Sequence, residues 1–415
     1  MNERSRSFNV APVLDPQEKR LVHPCDNANR PDDPDRSSPG PTLALTFSGG
    51  GFRATFSALG VIRYLADVGL LSKVRYVSSV SGGSIASAML AHHWDSLRRR
   101  AFSPGAVDEL VIDPIIASIS SSSLKLELVR NIWRAAGPRT RTNLLADALD
   151  RRFFEGQTLE SLDSQCRWIF NASNLVTGVR FAFERDYLGD YVTGLTPTTG
   201  TGISLSTAVA ASAAVPGAFA PLRLRGIHFP CPPVADPLLL DGGVYDNTGL
   251  TALDGDDYHD LFFVCLNAGG VFPMGRPLPI PIVGAVKRAE AVLYRQSTTL
   301  RTDWMVDRFK AYQRPGGATS PEARQGVLFA LSTTIDSPGW GFPEQRMWGK
   351  EDLAFVPTSF DRFDRELCRL LVHRGWWLTG ATMAKYHPQV ATASTDAPPL
   401  DLESIAAGDR RRRRP

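Results

Sequence analysis

A three-layer α/β/α fold with a mainly parallel central sheet is what the sequence predicts, on three observations. Short apolar or β-branched runs recur along the chain, segments with helical apolar spacing separate them, and glycines stand where several of the runs end. Strand, helix and strand in that rhythm imply crossover connections that cover both faces of one sheet.

The first run, residues 42–47 (TLALTF), is short, apolar and followed by glycines, as a buried strand should be. Residues 54–68 carry Phe56, Leu59, Ile62, Leu65 and Ala66 near helical spacing, and Gly69 can stop that helix. A second strand is expected at 74–80 (VRYVSSV), with a helix over 85–94. Further strands are expected at 167–170, 180–183, 238–240, 261–266 and 327–331. Residues 100–160 break the rhythm and read as a helical insertion. Its apolar residues, among them Val111, Ile115, Leu124, Ile132 and Trp133, either pack on the core, the favoured reading, or form a lid over an acyl-binding site.

The two ends differ from this body. Residues 1–41 are rich in Pro, Asp, Arg, Ser and Asn and predict a disordered N-terminal arm. Residues 388–415 predict a flexible tail, closing on the arginine run Arg410–Arg414. No Pro-, Gly- or Ser-rich linker divides what lies between, so 42–387 is expected to be one domain.

Composition removes several classes of function. At 43% hydrophobic and 21% charged residues the chain is that of an ordinary folded protein. It has no uninterrupted apolar stretch of the ~18 residues a spanning helix needs. The opening MNERSRSFNV lacks the apolar core of a secretory signal. Five cysteines without a CxxC pair predict reduced thiols in a cytoplasmic protein and no zinc knuckle. A net charge of +3 is too small to imply a nucleic-acid partner. The arginine run reads first as a solvated tail. Peripheral attraction to anionic headgroups, at ~1 kcal/mol per basic residue, is the second reading.

Three constellations carry chemistry. Ser48-Gly49-Gly50-Gly51-Phe52-Arg53 lies between an expected strand and an expected helix. Its glycines let backbone N–H groups approach a ligand, and the helix start adds positive charge, so an anion is expected there. The loop lacks the lysine of a phosphate-binding GxxxxGK[ST] and the spacing of GxGxxG, which leaves the oxyanion of acyl transfer as the other candidate. Ser79-Val80-Ser81-Gly82-Gly83-Ser84 again joins strand to helix, the setting of a nucleophile elbow, with Ser79 where G-x-S-x-G has glycine. Asp241-Gly242-Gly243 follows a third apolar run and would hold a carboxylate at a strand end. Each alone reads equally well as a turn.

In combination and order these elements resemble the patatin-like phospholipase family. The matching residues are GGGFR at 49–53, SVSGG at 79–83 and DGG at 241–243, with AVAASAAVPGAFAP at 208–221 and NASNL at 171–175 between them. Ser79 is the one departure, and in it the chain is similar to the cytosolic phospholipase A2 branch. The resemblance implies a patatin-like fold and a serine lipid acyl hydrolase acting on phospholipids or related esters. It implies Ser81 as nucleophile, Asp241 as base, and Gly49, Gly50, Gly51 and Arg53 as the oxyanion region, with no cofactor or metal. An esterase or triacylglycerol lipase, a lipid-binding protein of the same fold, and an effector activated by a partner are the alternatives. A Ser-His-Asp triad would have to draw on His259, His373 or His387, and each of these reads better as a surface or packing residue. His92, His93, Trp376, Trp377 and Cys265 are likewise expected to serve packing or surface roles.

Overall fold

In the computed structural model the residues described are 33–37, 39–131, 133, 139–231, 236–269, 275, 280, 282–335 and 353–390. The arginine run, Ile132 and most of both terminal segments lie outside them.

Among the described residues ten strands form one sheet. In chain order they are β1 (Leu43–Phe47), β2 (Val74–Val80), β3 (Arg167–Asn174), β4 (Val179–Phe183), β5 (Tyr187–Asp190), β6 (Gly194–Pro197), β7 (Leu222–Arg223), β8 (Leu238–Asp241), β9 (Phe262–Asn267) and β10 (Gln325–Ala330). The spatial order is β10-β9-β1-β2-β3-β4-β5-β6, with β8 also on β3 and β7 on β8. From β10 to β3 every pairing is parallel, and this is the expected body of the fold. Beyond β3 the sheet continues antiparallel. Every residue of β1 and β2 is buried, which explains why these strands read as continuous runs without polar alternation.

Helices cover the sheet. α1 (Gly51–Asp67) and α2 (Gly82–His92) are the crossovers that follow β1 and β2, and both are almost wholly buried. α1 begins three residues ahead of the expected start, inside the glycine loop. The insertion folds as short helices, including α3 (Asp113–Ser121), α4 (Leu124–Arg130) and α5 (Arg141–Leu149). Val111, Ile115 and Leu124 are fully buried there, so most of the insertion packs on the core, while Leu126, Val129 and Trp133 stay exposed. α6 (Leu205–Ser212) is the small-residue helix, capped by Ser204, whose hydroxyl accepts from Thr207 N–H.

Among the described residues two long helices complete the fold. α7 (Val283–Gln313) runs over the end of the sheet where β1 and β2 stop, and α8 (Arg365–Tyr386) packs along α1. A Cβ on Gly60 of α1 would meet Val372 O at 2.0 Å, and one on Gly375 of α8 would meet Ser57 O at 2.0 Å. Paired glycines thus let the two backbones touch. His373 and Trp376 stack on α8, Trp376 donates to Asp67, and Trp377 is buried, all packing roles as expected.

The last described part of the N-terminal segment is docked. Arg36 donates to the Tyr76 hydroxyl at 2.8 Å and to Asp260 at 2.8 Å. Cys166, Cys265 and Cys368 are free and buried. Cys231 is half-buried at the sheet margin, where its N–H donates to Thr193 O, and Cys25 lies outside the described residues.

Candidate active site

The site is assembled on β3. β2 runs parallel to β3 and leaves it after Val80 pairs with Asn171. β8 arrives antiparallel along the same edge and ends where Asp241 pairs with Ala172. Two strand ends therefore meet at neighbouring positions of one strand, and Ser81 comes to face Asp241 across that junction. The Asp241 carboxylate accepts a hydrogen bond at 2.8 Å from Gly243 N–H, and the nearby Ser81 hydroxyl also favours its charged form.

Ser81 has φ 53° and ψ −120°, a sharp strand-to-helix corner that side chains rarely adopt and that costs ~1–3 kcal/mol. Its surroundings hold it there. Ser81 N–H donates to Ser212 Oγ at 3.0 Å, and Ser212 Oγ donates to Asn171 O at 2.6 Å. Close packing fixes the next two residues as glycine: a Cβ on Gly82 would lie 2.0 Å from Gly51 O, and one on Gly83 would lie 2.6 Å from Phe47 O.

Ser79, the departure from G-x-S-x-G, has a specific environment. It is fully buried, and its hydroxyl lies 2.6 Å from Ser87 Oγ and accepts from Ser84 Oγ at 3.2 Å. Space and partners for a hydroxyl exist under the elbow, so serine fits where the motif has glycine.

The glycine loop is braced from several sides. Gly49 N–H donates to Asn247 O at 3.0 Å, and Phe52 N–H donates to Ser359 O at 3.1 Å. Gly50, φ 147°, caps α1, and a Cβ there would meet Ala268 O at 2.7 Å. Gly50 lines the same cavity as Ser81 and Asp241, at the positive end of α1. Arg53 turns away from that cavity. Its guanidinium donates to Ala268 O, Val356 O and Thr358 Oγ1, and burial brings its pKa down to about 10. Arg53 thus ties the loop to the segment ahead of α8.

Burial also perturbs the Asp241 carboxylate. Asp241 is 6% exposed, and burial pushes its pKa up to about 6 against the Ser81 hydroxyl and the Gly243 N–H, both of which favour its charge. Burial is the larger effect, because a carboxylate loses more hydration there than two donors return.

A cavity of about 1620 Å³ opens over these residues. That exceeds the ~300–1,000 Å³ of a small-molecule pocket. Much of its wall is α7, which brings Val286, Leu293, Tyr294, Leu300 and Trp304 to it, with Val215 and Pro216 opposite. Sequence reading had missed this helix, as well as Ser212, Asn247 and Tyr294. Among the described residues no histidine lines the cavity. His373 is buried on α8 with its pKa down at about 4 by burial, His387 contacts Gly326 O at 3.0 Å, and His259 lies on the exposed stretch ahead of β9. Among the described residues, no group of three or more His, Cys, Asp or Glu could hold a metal ion.

Residues 45–254, half of the chain, match the sequence model of patatin-like phospholipase. The chain belongs to the patatin-like phospholipase family. Among solved structures it is similar to human GIVD cytosolic phospholipase A2. That protein superposes at a TM-score of 0.53 with 15% identity, over 85% of this chain and 60% of the other. A second structure of the same enzyme, in complex with methyl γ-linolenyl fluorophosphonate, gives 0.50 and 16% over 85% and 59%. This chain therefore spans about three fifths of the length of that relative. VipD from Legionella pneumophila matches at a TM-score of 0.33 and 15% identity over 94% and 81%. Among the described residues no helix is long and apolar enough to cross a membrane.

Proposed function

We propose that this phospholipase-family enzyme releases fatty acids from phospholipids or related acyl esters through a Ser81–Asp241 dyad, within one catalytic domain spanning about 42–387. The observation that carries the reading is the strained Ser81 corner facing a buried carboxylate, with no histidine at the cavity among the described residues. Asp241 takes the Ser81 proton as the hydroxyl oxygen attacks the ester carbonyl. The tetrahedral oxyanion is met by the N–H groups of Gly50 and Gly51 at the start of α1, while Gly49 and Arg53 brace the loop. Collapse expels the alcohol, which receives the proton from Asp241, and leaves an acyl-Ser81. Water, deprotonated by Asp241, then attacks the acyl-enzyme; fatty acid leaves and Ser81 regains its proton. A carboxylate with pKa about 6 is a stronger base than an ordinary aspartate and is still ionised at neutral pH, which suits it to this task.

The large, partly apolar cavity favours a long acyl chain over a short ester, and a peripheral position on an anionic lipid surface is part of the proposal. Fatty-acid release from phospholipid vesicles, triacylglycerol and a short-chain ester tests it. Ser81→Ala should lose at least ~10³-fold in kcat. Asn substitutions at His259, His373 and His387 should leave activity within a few-fold. Equal release by wild type and Ser81→Ala would sink the nucleophile assignment.

A further inference from the structure

Asn247 stands six residues after Asp241 and is 2% exposed on the wall of the cavity that holds Ser81 and Asp241. It touches both loops of the site. A Cβ on Gly49 would lie 2.3 Å from Asn247 Oδ1 and 3.1 Å from Ser81 Cβ. A Cβ on Gly243 would lie 2.9 Å from Asn247 Oδ1 and 3.0 Å from Asp241 Oδ1. The side-chain amide therefore sits in the angle between nucleophile, base and glycine loop. Its own main-chain carbonyl takes the Gly49 N–H, which removes that donor from any oxyanion.

The amide nitrogen of Asn247 is buried without a hydrogen-bond partner among the described residues. An unpaired buried donor costs ~1–3 kcal/mol, so its retention calls for a use. A half-turn about the last side-chain bond exchanges Nδ2 with Oδ1 and brings the donor to the face shared with Gly49 and Gly243. Negative charge favours that orientation: Asp241 is ionised at rest, and an oxyanion develops beside Ser81 during attack.

Resting on the dyad reading above, we propose that Asn247 is a further catalytic residue, whose side-chain amide donates to the carbonyl oxygen of the ester as it becomes an oxyanion. It replaces, from the side chain, the donor that Gly49 has given up. No proton is transferred from the amide; it polarises the carbonyl and stabilises the tetrahedral intermediate.

The test compares wild type, Asn247→Ser and Asn247→Asp on phospholipid vesicles, with binding of a long-chain trifluoromethyl ketone, which adds to Ser81 as a tetrahedral oxyanion, and of the matching unreactive alcohol. Neither substitution alters the main-chain carbonyl that holds Gly49. Both variants should lose ~10²–10³-fold in kcat with little change in KM. Ketone affinity should fall by a similar factor while alcohol affinity stays put. In Asn247→Asp the added carboxylate should also move the acid limb of the rate profile to higher pH, whereas Asn247→Ser should leave it in place. A kcat within threefold of wild type overturns the proposal, as does a loss of kcat with ketone affinity unchanged. Failure of wild type itself to bind the ketone through Ser81 would overturn the dyad reading, and this proposal with it.

Discussion

Replacing Asp241 with asparagine should abolish turnover and stabilise the folded protein at neutral pH. The carboxylate is 6% exposed and its pKa is raised from 3.8 to about 6, burial being the cause. Below pH 3.8 it is protonated in the folded and the unfolded chain alike, so it imposes no penalty. As pH rises from 3.8 towards 6, the unfolded chain releases its proton while the folded chain holds it, and folded stability declines. Above about 6 the deficit is constant, and at ~1.4 kcal/mol per pH unit it amounts to about 3 kcal/mol. Asparagine escapes this cost without orphaning a neighbour. Its Oδ1 can still accept from Gly243 N–H, and its Nδ2 can donate to the Ser81 oxygen. Urea unfolding of both proteins from about pH 4 to about pH 8 should show curves that nearly coincide at the acid end and separate by up to ~3 kcal/mol at the other. Fatty-acid release by the variant should fall ~10³–10⁴-fold, and the wild-type kcat/KM should rise with pH through a limb near 6. A stability difference that does not vary with pH, or an acid limb near 4, would refute the argument that this buried carboxylate is the base.

Two further outcomes follow from the packing of the elbow. Ser79→Gly restores the family pattern but takes one hydrogen-bond partner from each of Ser87 and Ser84, which keep Ser84 O and Ser212 Oγ; it should cost ~1 kcal/mol in urea unfolding, with kcat unchanged within a few-fold, and a clear gain in kcat would show that Ser79 distorts the elbow. Gly82→Ala drives a Cβ to 2.0 Å from Gly51 O, backbone against backbone, so it should lower stability by at least ~2 kcal/mol and remove most activity together; a normal melting temperature would contradict the close approach of the two loops.

The parallel half of the fold was legible because its strands are buried on both faces. Residues 74–80 were read with their observed bounds, and β1 and β9 within a residue at each end. The antiparallel extension was not. β5 (YLGD) and β6 (GLTP) are four residues each, with glycine and proline inside them, and β7 is two residues long, so none carries a periodic signal. α7 escaped notice for a different reason. It is largely exposed and its apolar residues are not gathered on one buried face, so the stripe that betrays an amphipathic helix is missing. At the site, Ser81 and Asp241 could be found because each sits in a glycine-marked turn. Ser212 and Asn247 belong to no such punctuation and are recognisable only by what they touch. Arg53 was legible as part of the motif, but its direction, away from the cavity and towards Ala268 and Val356, was not.

The meeting of β2 and β8 on β3 has a consequence for how such a chain can vary. Ser81 and Asp241 lie 160 positions apart in sequence, yet their separation in space is set by one peptide step, Asn171 to Ala172. Everything else in that span is a detour that leaves β3 and returns to it. The helical insertion, the β4–β6 extension and the connection before β8 can lengthen, shorten or be exchanged while Ser81 and Asp241 keep their spacing. A chain that ends before β8, in contrast, would leave the strained serine without the carboxylate that faces it. On the proposed dyad, chemistry begins only once β8 has joined β3.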